Sequence, residues 1–173
     1  MDALASLLAR DEIRELAHRY AIAIDARDLD ALVALFVDDV RVGREGVGHE
    51  ALRRDFERQL RAIGVSILFV GNQVIDFDDD DHARGIVYCM AQVQHGQRWI
   101  RQAIRYDDAY ARRGGRWRFV RRRHLLWYGV DEANNPLLQP PANWPESQTG
   151  RGTLPESLAT WRRFWEAESR GRS

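Results

Sequence analysis

The sequence predicts an α+β fold in which three N-terminal helices pack on a curved antiparallel sheet. Two patterns predict this fold. Apolar residues recur at helical spacing through the first third of the chain, and from residue 66 the chain changes to strand-like runs separated by tight turns. A third pattern, a final segment rich in proline and tryptophan, predicts an irregular arm followed by a helix. With 173 residues the chain is long enough for one domain with a buried core.

Three sets of apolar residues recur every three or four positions, as on the buried face of an amphipathic helix. The sets are Ile13, Leu16, Ala17, Tyr20 and Ile24; Leu29, Leu32, Val33 and Phe36; and Leu52, Phe56, Leu60 and Ile63. Asp28 precedes the second set and is a suitable N-cap, because its carboxylate can accept from the free N–H groups of the first helical turn. We therefore expect three helices.

Four runs rich in β-branched and aromatic residues follow, separated by Gly and Asp clusters. The runs are SILFVGNQVIDF at 66–77, ARGIVYCMAQVQ at 83–94, RWIRQAIRYDDAYAR at 98–112 and RWRFVRRRHLLWYG at 116–129. Connections this short join antiparallel neighbours, so the strands should form a meander with the helices on one face. A short extended piece at Asp39–Gly43 is expected to add an edge strand. The space between sheet and helices is the natural cavity.

All five prolines lie beyond residue 131, interleaved with Trp144, Trp161 and Trp165. Thr153-x-x-Glu156 has the form of a capping box, which predicts that a helix begins there. Because an indole buries a large apolar surface, we expect the domain or a second subunit to cover the three tryptophans. The chain is accordingly divided into an α+β domain at 1–130 and a C-terminal arm and helix at 131–173.

The charges balance at 26 acidic and 26 basic residues, and every basic residue is arginine. A net charge of zero argues against a nucleic-acid partner, and the absence of lysine excludes Schiff-base and P-loop lysine chemistry. A single cysteine, Cys89, excludes an intrachain disulfide. No apolar stretch is long enough to span a membrane, and the N-terminus does not have the form of a signal peptide. We expect a cytoplasmic protein that needs no metal and no organic cofactor.

Three stretches resemble the nuclear transport factor 2-like superfamily and, within it, the SnoaL-like branch. They are HRYAIAIDARDLDALVALFVDDV at 18–40, ILFVGNQVIDF at 67–77 and YDDAYARRGGRWRF at 106–119, within a resemblance that spans roughly residues 8–128. The resemblance implies a cystatin-like cone with a mostly apolar, aromatic-lined cavity. It also implies a homodimer packed through the outer face of the sheet.

The superfamily includes dehydratases, isomerases and dehydrohalogenases, which commonly place a catalytic His and Asp inside the cone. By this resemblance Asp25 matches the acid and Tyr20 matches a position that reaches the substrate, whereas Leu68 occupies the usual place of the histidine. The expected function is a cofactor-independent lyase or isomerase that moves a proton on a hydrophobic, for example polycyclic, substrate. The alternative is a non-catalytic protein that binds a small ligand or stabilises a partner, and the missing histidine favours it.

Two polar residues, Asp25 and Asn72, are expected to face the cavity. Asp25 ends the first helix, where the helix dipole and the cavity walls would both raise its pKa and make it a better base. We expect its carboxylate within hydrogen-bond reach of Tyr20, Asn72 or an ordered water. Asn72 lies in an otherwise apolar strand, so its amide needs a partner in the cavity or in the neighbouring chain.

The register of the last strand decides which of its polar residues meet the ligand. If the alternation that turns Trp117 and Phe119 inward continues, Arg121, Arg123 and Trp127 face the cavity and His124 faces outward. One bulge reverses this assignment. Inward arginines require acids or an anionic ligand, and a solvated arginine-rich face is the other interpretation. The candidate substrate-binding residues are therefore Asn72, Arg121, Arg123, His124, Trp127 and Leu68.

Overall fold

The computed structural model describes residues 2–43 and 46–170, with side chains through Ala167. The ends of the predicted ranges 1–130 and 131–173, at residue 1 and at 171–173, lie outside the described residues, as do residues 44 and 45.

The three predicted helices are present and are followed by the sheet. Helix α1 spans Ala3–Ala26, α2 spans Leu29–Ala34 and α3 spans His49–Arg61. The Asp28 carboxylate accepts from the backbone N–H of Ala31, so its predicted role as the N-cap of α2 is confirmed. The predicted apolar faces of all three helices contribute to one buried core.

The main sheet is a four-stranded antiparallel meander, as predicted. Its strands, which follow the short strands β1 (Arg41–Val42) and β2 (Gly46–Val47), are β3 (Ser66–Phe77), β4 (His82–His95), β5 (Arg98–Arg113) and β6 (Arg116–Asp131), in the order β3-β4-β5-β6. The expectation that Asp39–Gly43 adds an edge strand to the main sheet is wrong. Its strand residues pair with β2 in a separate two-stranded hairpin rather than with the main sheet.

Helix α1 runs along the inner side of the edge strand β3. Near its start, Arg10 donates to the Ile75 carbonyl at 2.6 Å, and near its end Asp25 accepts from the backbone N–H of Leu68 at 2.9 Å. These side chains satisfy backbone groups on the edge of the sheet that no neighbouring strand reaches. The sequence places polar residues on α1 where the helix meets this edge.

The C-terminal segment forms an irregular arm and helix α4 (Ala159–Arg170). The helix begins later than the capping box predicts, because the Glu156 carboxylate binds Arg151 instead of a backbone N–H at the helix start. Trp161 is buried and Trp165 packs beside it, whereas Trp144 is 72% exposed, so the domain covers two of the three indoles and covering of Trp144 by a second subunit stays a prediction. No helix in the described residues is both long and apolar enough to cross a membrane.

Candidate active site

A cavity of about 400 Å³ lies between the helices and the inner face of β5 and β6. Its walls come from α1, the α2–β1 connection, α3 and the two strands. Aromatic and polar side chains among them are Tyr20, Phe36, Asp55, Phe56, Gln59, Tyr106, Arg122 and His124. A mostly aromatic wall with a few convergent polar groups is the usual form of a small-molecule site.

A bulge in β6 decides which residues reach this cavity. Tyr110 pairs with Phe119 but Ala109 pairs with Arg121, so Val120 is an extra residue and the alternation shifts by one. Arg122 and His124 consequently lie opposite the inward residues Asp108 and Tyr106.

The inward assignment of Arg121, Arg123 and Trp127 is therefore wrong. Arg121 and Arg123 belong to the stretch of β6 that borders the cavity, but pairing places their side chains on the outer face, where Arg123 binds Asp107 at 2.9 Å. Trp127 is itself the extra residue of a second bulge and packs on Tyr88, also on the outer face. The alternation argument failed because no glycine or proline marks either bulge.

Tyr20 and Tyr106 present two phenols to the cavity. Their ring centroids are 6.0 Å apart, and among the described residues neither hydroxyl has a hydrogen-bond partner, although neither is closed off from the cavity. Burial raises the pKa of Tyr20 to about 12 and that of Tyr106 well above its ordinary value. Both phenols therefore stay protonated and can donate to an acceptor oxygen of a ligand.

His124 stands beside Tyr106, with ring centroids 5.6 Å apart. Partial burial lowers the pKa of His124 below its ordinary value of 6.5. The imidazole is consequently neutral near pH 7 and has a free lone pair, as a general base requires. The first predicted register turned this residue outward, and the bulge turns it inward.

Behind the phenols lies a buried ion pair that sequence reasoning missed. Arg122 donates from Nε to Asp108 Oδ1 at 2.9 Å and from Nη2 to Oδ2 at 2.7 Å, and Tyr110 donates to the same carboxylate at 2.8 Å. The guanidinium also stacks within about 4.5 Å of the ring centroids of Tyr20, Tyr106 and Phe119. A signal was available, because alternation puts Asp108 on the same face as Tyr106 and Tyr110, and a buried aspartate requires a cation.

The opposite wall of the cavity carries a second polar group. On α3, Gln59 donates to the Asp55 carboxylate at 2.7 Å, and Arg58 also binds it. The described residues contain no group of three or more His, Cys, Asp or Glu side chains that could hold a metal ion.

Asp25 lies outside the cavity, at the junction of α1 and β3. Its carboxylate accepts from the Ser66 hydroxyl at 3.0 Å and from the Leu68 N–H at 2.9 Å, not from Tyr20 or Asn72 as expected. Asp25 is not among the described residues that line the cavity. Desolvation nevertheless raises its pKa to about 6, in the predicted direction. The physical reason for its placement is that the end of α1 packs on the edge strand.

Leu68 and Asn72 lie on opposite faces of β3. Leu68 points inward and packs against the core. Asn72 lies in a bulge of β3 and borders a groove of about 360 Å³ on the outer face, together with Phe69, Tyr88 and Trp127. The expectation that Asn72 meets a ligand in the cavity is therefore wrong, again because a bulge changes the alternation.

Comparison with known proteins identifies the fold. The model of the SnoaL-like domain family matches residues 5–123. A solved structure of LinA is 25% identical, with a TM-score of 0.70 over 78% of this chain and 97% of that one. The hexachlorocyclohexane dehydrochlorinase LinA-type3 from Novosphingobium barchaimii LL02 is 24% identical, with a TM-score of 0.68 over 76% and 95%.

Another solved structure extends over almost the whole chain. A protein of unknown function from Mycobacterium tuberculosis is 16% identical, with a TM-score of 0.63 over 98% of this chain and 94% of that one. No curated protein matches the chain.

Proposed function

Because the chain belongs to the SnoaL-like family, we propose that it is a cofactor-independent lyase or isomerase that moves a proton on a small hydrophobic substrate. The observation that supports this most directly is the group formed by Tyr20, Tyr106 and His124. Two protonated phenols, which have no hydrogen-bond partner among the described residues, line one cavity together with a neutral imidazole. Donors and a base that converge on one space are the parts that carbon acid chemistry needs.

In the proposed reaction, His124 removes a proton from a carbon next to a substrate carbonyl. The electron pair of the broken C–H bond moves onto the carbonyl oxygen, which becomes an enolate held by the hydroxyls of Tyr20 and Tyr106. Return of the electron pair then expels a leaving group from the neighbouring carbon, as in a lyase. Alternatively the proton returns from His124 to a different carbon, as in an isomerase.

Arg122 supports this chemistry from behind the rings. Its positive charge opposes the rise in the pKa of both phenols that burial produces, so the hydroxyls become stronger donors. Asp108 fixes the guanidinium with two hydrogen bonds, so the charge is in place before the oxyanion forms. The four rings of Tyr20, Phe36, Phe56 and Tyr106 favour a flat, apolar substrate such as a polycyclic ketone.

Asp25 is the second candidate base. The observation that favours it is its pKa of about 6, a value suited to proton transfer near neutral pH. For this role the substrate would have to reach past the described cavity to the junction of α1 and β3. His124 needs no such extension.

A non-catalytic ligand-binding or partner-stabilising protein is the alternative function. Leu68 stands where the family's histidine is expected, and both oxygens of Asp25 already accept hydrogen bonds. In that case the phenols would bind the ligand oxygen and no proton would move.

We also propose that two copies pair through the outer face of the sheet. Large apolar side chains are exposed there, among them Ile67, Phe69, Tyr88, Met90, Trp127 and Tyr128. Ion pairs such as Arg123 with Asp107 neutralise charges on the same face. Light scattering should give the mass of a dimer, and Phe69→Glu with Trp127→Glu should give a monomer.

The buried free thiol of Cys89 is consistent with a location in the cytoplasm.

The test of function follows exchange of C–H protons for deuterium across a panel of cyclic and polycyclic ketones in D₂O. Wild-type protein should catalyse exchange on at least one member, and His124→Asn should abolish it while Asp25→Asn retains it. If exchange is lost in Asp25→Asn and retained in His124→Asn, Asp25 is the base. Binding of the same ketones without any exchange would favour the binding protein. His18→Asn, on the exposed side of α1, is the matched control.

A further inference from the structure

Helix α1 ends on a residue with an unusual backbone conformation. Arg27 has φ 55°, and it is the one non-glycine residue with positive φ in the described chain. Glycine is the common residue at this place after a helix, because a side chain costs energy in the left-handed region. Arg27 is also 2% exposed, although a guanidinium is strongly solvated in water. Its side chain must therefore make contacts that outweigh both costs.

Arg27 is bonded to the start of β3 and, through one hydroxyl, to Asp25. The guanidinium donates to the carbonyls of Ile24 and Gly64 and to Ser66 Oγ, the last at 3.0 Å. The Ser66 hydroxyl in turn donates to Asp25 Oδ1 at 3.0 Å. Arg27, Ser66 and Asp25, called the junction network below, therefore form one continuous polar chain between α1 and β3.

The C-terminal helix covers this network. The ring of Trp161 lies 4.8 Å from the Arg27 guanidinium carbon and packs with Val65 and Trp99, so it closes the junction from outside. A second contact anchors α4 nearby, because Arg61 stacks at 4.5 Å on Phe164 and donates to its carbonyl at 3.1 Å. The family match ends at residue 123, so α4 lies beyond the matched region.

We propose that Arg27 and Trp161 are positioning residues for Asp25. Helix α4 locks the Arg27 guanidinium against the start of β3, and Arg27 with Ser66 then holds the Asp25 carboxylate on the edge of the sheet. The C-terminal helix is thus part of the Asp25 site and not only a cover for apolar surface. This locking is the same whether His124 or Asp25 acts as the base.

The charged and titratable groups around Asp25 set the sign of each expected effect. Arg27 on its own helix lowers the pKa of Asp25, and the Leu68 N–H and Ser66 hydroxyl of β3 lower it as well. Cys89 of β4 interacts with Asp25 but stays neutral, since burial raises the pKa of its thiol to about 11. Trp161 of α4 brings no charge and excludes water. Removing Arg27 should consequently raise the pKa of Asp25. Removing Trp161 has two opposing effects on this pKa, because water that enters lowers it and release of Arg27 raises it, so exchange of the Leu68 amide is the readout for Trp161.

The experiment is a ¹³C-carboxyl NMR titration of Asp25 in the full chain. Arg27→Met should raise the apparent pKa of Asp25, because the cation is lost while α4 remains. Trp161→Ala should release Arg27, so the Leu68 amide should exchange faster with solvent in Trp161→Ala and in Arg27→Met than in the wild type, since its acceptor is no longer held. Because Trp161 acts through Arg27, the double variant should exchange no faster than Arg27→Met alone.

Conservative variants separate positioning from unfolding. Arg27→Lys and Trp161→Phe should titrate close to the wild type, and Trp144→Ala, at an exposed tryptophan of the same segment, should not differ from it. An unchanged titration in Arg27→Met, or exchange of the Leu68 amide at the wild-type rate in Trp161→Ala, would overturn the proposal. If Trp161→Ala does not fold, Ser66→Ala replaces it: a raised pKa of Asp25 supports the network, and an unchanged one overturns it. None of these readouts needs a substrate.

Discussion

Two polar clusters lie at the inner side of α1, one turn and a half apart, and they are satisfied in opposite ways. In the junction network every oxygen of Asp25 and the Ser66 hydroxyl have protein partners. In the cavity the hydroxyls of Tyr20 and Tyr106 have none among the described residues. Buried polar groups normally find partners, so free donors at a cavity wall indicate a place for a ligand. Groups that already have protein partners, as the junction network has apart from Arg27 Nε, indicate a role in holding elements together.

The largest effect is expected at the buried ion pair of Asp108 and Arg122 behind the phenols. Asp108→Ala leaves the buried Arg122 charge without its carboxylate and should lower the free energy of unfolding by about 3–5 kcal/mol. Urea unfolding measures it. The double variant Asp108→Leu with Arg122→Met should recover much of the loss, because no unpaired charge remains. If Asp108→Ala is as stable as the wild type, the ion pair of Asp108 and Arg122 does not stabilise the fold.

The free phenols should matter for chemistry and little for stability. Tyr20→Phe and Tyr106→Phe should each lower the exchange rate of a substrate about 100-fold, as expected for the loss of one oxyanion donor. Each should change the free energy of unfolding by less than about 1 kcal/mol, since no protein hydrogen bond is lost. Rates near wild type in both variants would remove the distinction between the two clusters.

Tyr110 is a third phenol in this region, and its hydroxyl, unlike those of Tyr20 and Tyr106, has a protein partner. Tyr110 is buried and donates to Asp108, so Tyr110→Phe should cost about 2 kcal/mol of stability, the usual range for a hydrogen bond to a charged group. Its effect on the exchange rate should be small beside that of Tyr20→Phe. Thermal or urea unfolding of the matched pair of Tyr→Phe variants compares partnered and free hydroxyls directly.

The smallest effect concerns pH and the junction network. The pKa of Asp25 is about 6 in the folded protein and 3.8 in an unperturbed chain, so between these values the folded state binds more protons than the unfolded one. Stability must then fall as pH rises through this window. Because Asp25 is only partly buried, the stability of wild type relative to Asp25→Asn should fall by about 1 kcal/mol from pH 4 to pH 7. A difference that grows over this window would contradict the raised pKa.

Most of the fold could be predicted from the sequence, since it depends on periodic patterns. The apolar residues from Ile13 to Ile24 repeat every three or four residues over about three turns of α1, and Asp28 caps α2 through a local hydrogen bond. The same local patterns do not show how strands are paired. Which residues of β6 face inward depends on whether Val120 is paired with a residue of β5 or is the extra residue of a bulge. The valine side chain gives no indication of which of these occurs.

The candidate site was predicted less well for the same reason. Tyr20 was placed correctly because it lies on the regular apolar face of α1. Arg121 and Arg123 would face inward only with an unbroken alternation, and the structure has the alternative, in which one bulge reverses the register. Asp25 was expected in the cavity from family resemblance, but its partners are Ser66 and a backbone N–H, which no side-chain pattern reveals.

The bulge at Val120 also makes the composition of the cavity wall depend on one residue of strand length. Deleting Val120 would leave Arg121 opposite Ala109 and Arg122 opposite Asp108, because Val120 is the residue that has no partner in the ladder. If Val120 instead paired with Ala109, Arg121 would lie opposite Asp108, Arg123 would lie opposite Tyr106, and His124 would turn to the outer face. The imidazole at the described cavity wall therefore depends on one residue being left out of the ladder, with no change in any other side chain.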